Sequence, residues 1–336
     1  MLHSQPLFMG TRSQGRRVFA ACLLWQSVRA LLLASLVSLP ALAQGDLPQP
    51  RFRLGIVNER LDRPDHALEL YGEMHRYLDG RLLAHGLDGA ELVIAADLDS
   101  MQERVAAGEV DALLEGVMPT LAIIKRGNRL RPALVAWRKG QREYHSVFFV
   151  AQDSPIASLH DLAGKTLAFE SPRSTSAYFV PRAALRAEGL SLMPADEAAE
   201  QAAGTASIMA ESAALSAPVR FRFAGSELNQ AYWVQRGRAD AGAFNDGDWE
   251  RVPDSLRKQL RIIHRTRPLL RWLLSFDQAY PSDKRAAVVE VLASMHLDTA
   301  GQAVLQQAAR IARFEPLTAA DRDSLAYWAG VLRQFD

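Results

Sequence analysis

Apolar residues recur along this chain in two alternating rhythms. Residues 53–57 (RLGIV), 91–95 (ELVIA) and 110–114 (VDALL) are short aliphatic runs between polar turns, the pattern of buried strands. Between the first two, residues 66–85 carry Leu68, Tyr71, Met74, Tyr77, Leu78 and Leu82 at the three- and four-residue spacing of a helix. Residues 99–107 predict a second helix, with Asp97 or Asp99 as its cap, and 120–126 a third after Pro119. Further strands are expected at 134–137, 146–151, 166–169, 220–223 and 239–244. Further helices are expected at 177–188, stopped by Gly189, at 228–236, broken by Gly237, and at 282–295, 299–309 and 317–333.

Strands alternating with helices predict an α/β protein with a largely parallel sheet. Ligands of such sheets bind beyond the carboxyl ends of the strands. The loops at 58–63, 96–99 and 115–120 are therefore expected to wall a cleft.

Composition narrows the reading. The 336 residues suffice for two domains with real cores, and a formal net charge of +1 gives no field suited to nucleic acid. The one cysteine, Cys22, excludes an internal disulfide and a cysteine metal cluster. Arg12, Arg16 and Arg17, the apolar run 30–39 and Ala41-Leu42-Ala43 form the pattern of a secretory signal, expected to span 1–43 and to be cleaved after Ala43. The arginine pair leaves Sec and twin-arginine export both open.

The stretch 164–190 carries the candidate chemistry. Ser174, Thr175 and Ser176 stand where the strand 166–169 hands over to a helix. First-turn N–H groups lack intrahelical acceptors and the helix dipole is positive there. With three hydroxyls added, the turn suits an oxyanion; the same residues are also ordinary helix caps.

The wider context resembles the phosphonate/phosphite/phosphate-binding periplasmic proteins of ABC importers. The resemblance rests on YHSVFFV at 144–150, DSPI at 153–156, SLHDLAGK at 158–165, Phe169, Ser174-Thr175-Ser176 and Pro181, in the family's order and spacing over about forty residues. More weakly it extends from Arg53 to Tyr327. It implies a two-lobed type II binding-protein fold, with two Rossmann-like lobes joined by a two-crossing hinge near Val150 and Asn245. Lobe 1 would be 51–150 plus 247–336. Lobe 2 would be 151–246, with an Ala-rich insert at 191–218.

By resemblance, Ser174, Thr175 and Ser176 match the family's phosphonyl-binding triplet and Tyr144 its cleft tyrosine. Elsewhere the pattern departs. Leu98 stands at the first-lobe tyrosine, Glu227 at a histidine, and Asn245 at the hinge aspartate with Asp246 beside it. Gly116-Val117-Met118-Pro119-Thr120 replaces a Gly-Pro-x-x-Tyr stretch. Leu98 and Met118 are expected to line a pocket for an apolar substituent, and Glu227 to meet a ligand ammonium or solvent. Glu115, Glu170 and Asp246 are a candidate carboxylate group with no sequence pairing.

The histidines have no metal-binding spacing, and there is no nucleophile elbow or Walker loop. The expectation is a monomeric, non-enzymatic, cofactor-free periplasmic protein. It would capture a small oxyanion and pass it to an ABC permease. The alternative is a sensing subunit that signals to a membrane receptor, kinase or cyclase.

Overall fold

The structure is a computed structural model that describes residues 51–60, 62–127, 129–195 and 217–334. The signal and most of the Ala-rich insert lie outside the described residues, so both expectations stand untouched. No helix among the described residues is long and apolar enough to cross a membrane.

The first sheet takes strands from both ends of the chain. β1 (Phe52–Val57) is followed by helix α1 (His66–Leu83), then β2 (Ala90–Ala95), α2 (Leu98–Ala106), β3 (Ala112–Gly116), α3 (Val117–Lys125) and β4 (Leu130–Arg138). β1 pairs in parallel with β2 and with β3. α1 buries Tyr71, Met74, Leu78 and Leu82, which the helical spacing marked, against Phe52, Leu54 and Ile56 of β1.

Past β5 (Glu143–Tyr144) the chain builds a second sheet. Its elements are β6 (Ser146–Ala151), β7 (Thr166–Phe169), a π-helical turn (Thr175–Phe179) running into α4 (Val180–Ala187), and β8 (Leu192–Pro194). β9 (Val219–Phe223), α5 (Glu227–Gln235), β10 (Ala241–Asn245), the short helices α6 (Asp246–Trp249) and α7 (Asp254–Arg257), and β11 (Leu260–Arg265) complete it. The strand order is β11-β6-β10-β7-β9-β8. The core strands β6 and β10 are buried along nearly their whole length, which is why they read as continuous apolar runs.

The chain then returns through β12 (Leu269–Leu270) and β13 (Trp272–Asp277), helices α8 (Ser282–Ser294) and α9 (Thr299–Gln307), β14 (Ile311–Pro316) and α10 (Ala319–Arg333). The completed first sheet has the order β14-β4-β13-β3-β1-β2. β13 runs antiparallel to β3 and β4, and β14 antiparallel to β4. This antiparallel half corrects the expectation of a largely parallel sheet. Neither strand was foreseen: β13 (WLLSFD) is buried at every position and shows no alternation, and β14 (IARFEP) is short and ends on proline.

The chain changes sheets earlier at its first crossing, and later at its second, than the resemblance implied. β6 belongs wholly to the second sheet, and β11 joins it as the strand beyond β6. The two passages between the sheets are instead β5 and β12, which pair antiparallel through Tyr144–Leu269 and Glu143–Leu270. Two connecting strands laced into one ladder make a short double hinge.

Candidate functional site

A cleft of about 700 Å³ opens where the carboxyl ends of the parallel strands of both sheets face each other. From the first sheet it is lined by Asn58 and Glu59 after β1, Leu98 after β2, Glu115 and Gly116 ending β3, and Arg138 and Lys139 ending β4. Arg271 and Trp272 open β13 on the same wall. The second sheet contributes Glu170, Ser174, Thr175, Ser176, Glu227, Asn245 and Asp248.

The hydroxyl turn is a cap and remains a donor site. Ser174 has extended backbone, and its Oγ accepts from the Ala177 N–H at 3.1 Å. Asn245 Nδ2 donates to Ser176 Oγ at 3.4 Å, and Ser146 Oγ donates to the Ser176 carbonyl at 2.7 Å. Both serine oxygens thus spend lone pairs inside the protein, which leaves their O–H protons free to donate. The Phe179 N–H donates to the Ser174 carbonyl at 3.0 Å, and Ala177 (φ −113°, ψ 15°) departs from helical geometry. The first turn is widened accordingly before Pro181 and α4 continue it.

Tyr144, on β5, is 5% exposed and borders the cleft. Burial raises its pKa, so the phenol stays a proton donor. The Arg271 guanidinium lies 4.7 Å from the centre of its ring. Asn245 begins α6: its Oδ1 accepts from the Asp248 N–H at 3.0 Å while Nδ2 also donates to the Asp248 carboxylate. Glu227, first in α5 after the Ser226 cap, faces the cleft; burial and then the charge of Glu170 raise its carboxyl.

Three expected site residues do not line this cleft. Met118 is buried in an apolar cluster with Leu121, Val135 and Leu273. Thr120 is fully buried in α3, and its hydroxyl has no partner among the described residues. Helix α3 starts at Val117, immediately after β3, and this turns both side chains inward. Asp246 accepts from Gln141 Nε2 at 2.9 Å, and its N–H donates to the His145 carbonyl at 2.9 Å. It ties α6 to the β4–β5 connection instead of facing a ligand. Of the candidate carboxylates, Glu115 and Glu170 do border the cleft.

The basic wall was absent from the sequence reading. Arg138 pairs with Glu59 at 2.8 Å and lies 4.1 Å from the centre of the Trp272 ring. Burial depresses Lys139, with Arg138 adding to the effect, and its backbone is left-handed (φ 54°) ahead of Gly140. Arg271 donates from Nη2 to Gln141 Oε1 at 2.7 Å, while its buried Nε has no partner among the described residues. Burial lowers its pKa as well. The basic Arg138-Lys139 pair just before Gly140 was the available signal for the first of these. Glu115 is pushed up to about 7 by burial, with Glu59 adding to the rise and the Gly116 N–H and Arg138 opposing it. No group of three His, Cys, Asp or Glu side chains among the described residues could hold a metal ion.

The family described as the periplasmic substrate-binding protein of phosphonate ABC transporters matches residues 62–322. Among solved structures, XAC2383 from Xanthomonas citri is similar at 26% identity with a TM-score of 0.67, over 84% of this chain and 97% of that one. That protein has been seen bound to chloride ion and to ATP. PhnD1 from Prochlorococcus marinus, in complex with methylphosphonate, is similar at 15% identity and TM-score 0.53, covering 84% of this chain and 98% of its own. The aliphatic sulphonate binding protein SsuA from Escherichia coli follows at 18% and 0.51, covering 84% and 87%. No curated protein matches the chain.

Proposed function

Since the chain belongs to the family of periplasmic substrate-binding proteins of phosphonate ABC transporters and has their two-lobed type II fold, we propose that it captures a phosphoryl- or phosphonyl-bearing anion at the Ser174–Ser176 turn and presents it to an ABC permease. The observation that carries this reading is the pair of serine hydroxyls. Each accepts a hydrogen bond from within its own lobe, and each keeps a proton for a ligand at the mouth of a helix. Neutral donors of this kind hold an oxyanion without a counter-charge that would have to be stripped of water.

The lobes of this reading are 51–145 plus 266–334 and 146–265, moving about the β5–β12 ladder. Closure brings donors from both walls onto the ligand, as in hinge-closing binding proteins. The region 1–43 would act as a cleaved export signal, consistent with a periplasmic family. Phosphate esters belong among the candidate ligands beside phosphonates. The relatives with methylphosphonate and with ATP share a phosphorus oxyanion, and the cleft has room for a substituent.

Thermal unfolding of the exported chain against phosphate, methylphosphonate, methanesulfonate and ATP tests the proposal. A ligand at one hundred times its dissociation constant stabilises by about 2.7 kcal/mol, which raises the midpoint by roughly a few degrees in a chain of this size. At least one phosphorus anion is expected to give that shift. No shift with any of the four would remove the reading.

A further inference from the structure

Lys139 and Arg271 stand on the cleft wall that faces the hydroxyl turn, and neither has a carboxylate partner among the described residues. The neighbouring charges are already committed. Arg138 is paired with Glu59. Asp248 accepts from Asn245 and from Arg251. Among the described residues the Arg271 guanidinium keeps a buried Nε with no acceptor, and its side-chain bond runs to the neutral amide of Gln141.

Arg271, partly desolvated without an anionic partner among the described residues, is costly to hold there and becomes favourable when an anion arrives, and Lys139 stands exposed beside it at the cleft. Lys139 is also held with φ 54°, a left-handed backbone that lysine seldom adopts and that tends to persist where function requires it. Its N–H donates to the Arg310 carbonyl at 2.9 Å, which fixes the turn beside the cleft.

Resting on the phosphoryl reading above, we infer that Lys139 and Arg271 form a second anion subsite opposite Ser174–Ser176, and that the ligand is a polyphosphate-type anion with one phosphate at each. The two subsites are linked through the protein. Ser176 accepts from Asn245, Asn245 binds Asp248, and Asp248 acts electrostatically on both Lys139 and Arg271. A single tetrahedral anion engaged by the hydroxyl turn fills only a small part of 700 Å³ and leaves the two cations without an anionic partner among the described residues. A diphosphate or longer chain, bare or esterified, gives both sets a partner. Glu170 and Glu227 stand on the second lobe's side of the cleft, where burial and the Glu170 charge raise the Glu227 pKa.

The test is isothermal titration of the exported chain with phosphate, methylphosphonate and pyrophosphate, at fixed ionic strength and without divalent cations. Pyrophosphate is expected to bind at least about tenfold more tightly than phosphate, the gain of added charge-assisted hydrogen bonds. Lys139→Asn, which suits a left-handed backbone, and Arg271→Gln should each shrink that ratio severalfold. Their folding is checked by unfolding midpoint, and Lys139→Asn stands as the decisive variant where Arg271→Gln is unstable. Equal affinities for phosphate and pyrophosphate would overturn the second subsite while leaving the capture reading intact. So would a ratio unchanged in Lys139→Asn. Failure of all three anions to bind would bring down the capture reading, and the second subsite with it.

Discussion

At Ser174 one hydroxyl caps the helical turn by accepting from the Ala177 N–H at 3.1 Å and still borders the cleft, so a helix cap and the proposed anion site share one residue. The same scale decides the pH behaviour. Glu115, bordered by Glu59, Arg138 and the Gly116 N–H, has its pKa raised from 4.5 to about 7. Between those values the unfolded chain has lost this proton and the folded chain has kept it. Stability contributed at this site is therefore full below about 4.5 and declines as pH rises through about 7. Urea midpoints of wild type and Glu115→Gln at pH 5 and pH 8 measure it. The variant should gain on wild type by about 1–2 kcal/mol on going to pH 8, a figure reduced for the partial exposure of the side chain. An equal pH slope in both proteins would contradict the assignment. The strand-to-helix pattern was enough to pick out Ser174, Thr175 and Ser176, and the family resemblance to add Tyr144, Leu98, Glu227 and Asn245, all of which line the cleft. It could not find Arg271, because that residue reaches the site only through the pairing of Trp272 with Ala136 and Gly116, more than a hundred residues away.

At the scale of elements, the second sheet depends on close approach at its centre. β10 carries Gly242 directly beneath Phe149 of β6, where an added Cβ would come within 2.3 Å of the ring. Phe149 also packs on Phe244 and Trp249, with ring centres 4.6 and 5.6 Å away, so it has little room to yield. Gly242→Ala should cost about 1–3 kcal/mol in urea unfolding, the usual price of overpacking a core; unchanged stability would mean that the ring moves freely. β6 and β7 stood out in the sequence because each is a central strand with an unbroken apolar run. β13 has the same character but sits between two antiparallel partners drawn from distant parts of the chain. Its apolar run lies between Arg271 and Asp277-Gln278, with no glycine or proline directly at either end to announce it. Met118 and Thr120 stay off the cleft lining for a related reason: α3 begins at once after β3, and sequence spacing does not reveal which way a helix rotates as it leaves a strand.

For the whole molecule, the two sheets present their strand ends to one cleft, and the β5–β12 ladder joins them behind it. An apolar cluster spans the same junction: Val180 and Ala183 of α4 pack with Leu325 and Trp328 of α10 and with Leu269 of β12. Gln141 adds a polar tie, bonded to Arg271 on one side and Asp246 on the other. In the proposed capture, the lobes close about this junction over a ligand held first by one wall. The family resemblance carried the two-lobed plan, but it set the crossings too far from the ladder, because it could not show that β6 and β11 both belong to the second sheet. The account stands or falls on whether the hydroxyl turn is where the anion binds. Isothermal titration of methylphosphonate and phosphate into wild type and into Ser174→Ala/Ser176→Ala decides this. The account predicts saturable one-to-one binding to wild type and a loss of at least about a hundredfold in the double variant, the effect of removing two hydrogen bonds to a charged group. Equal affinity in the folded double variant would show that the anion binds elsewhere and that the turn serves only as a cap.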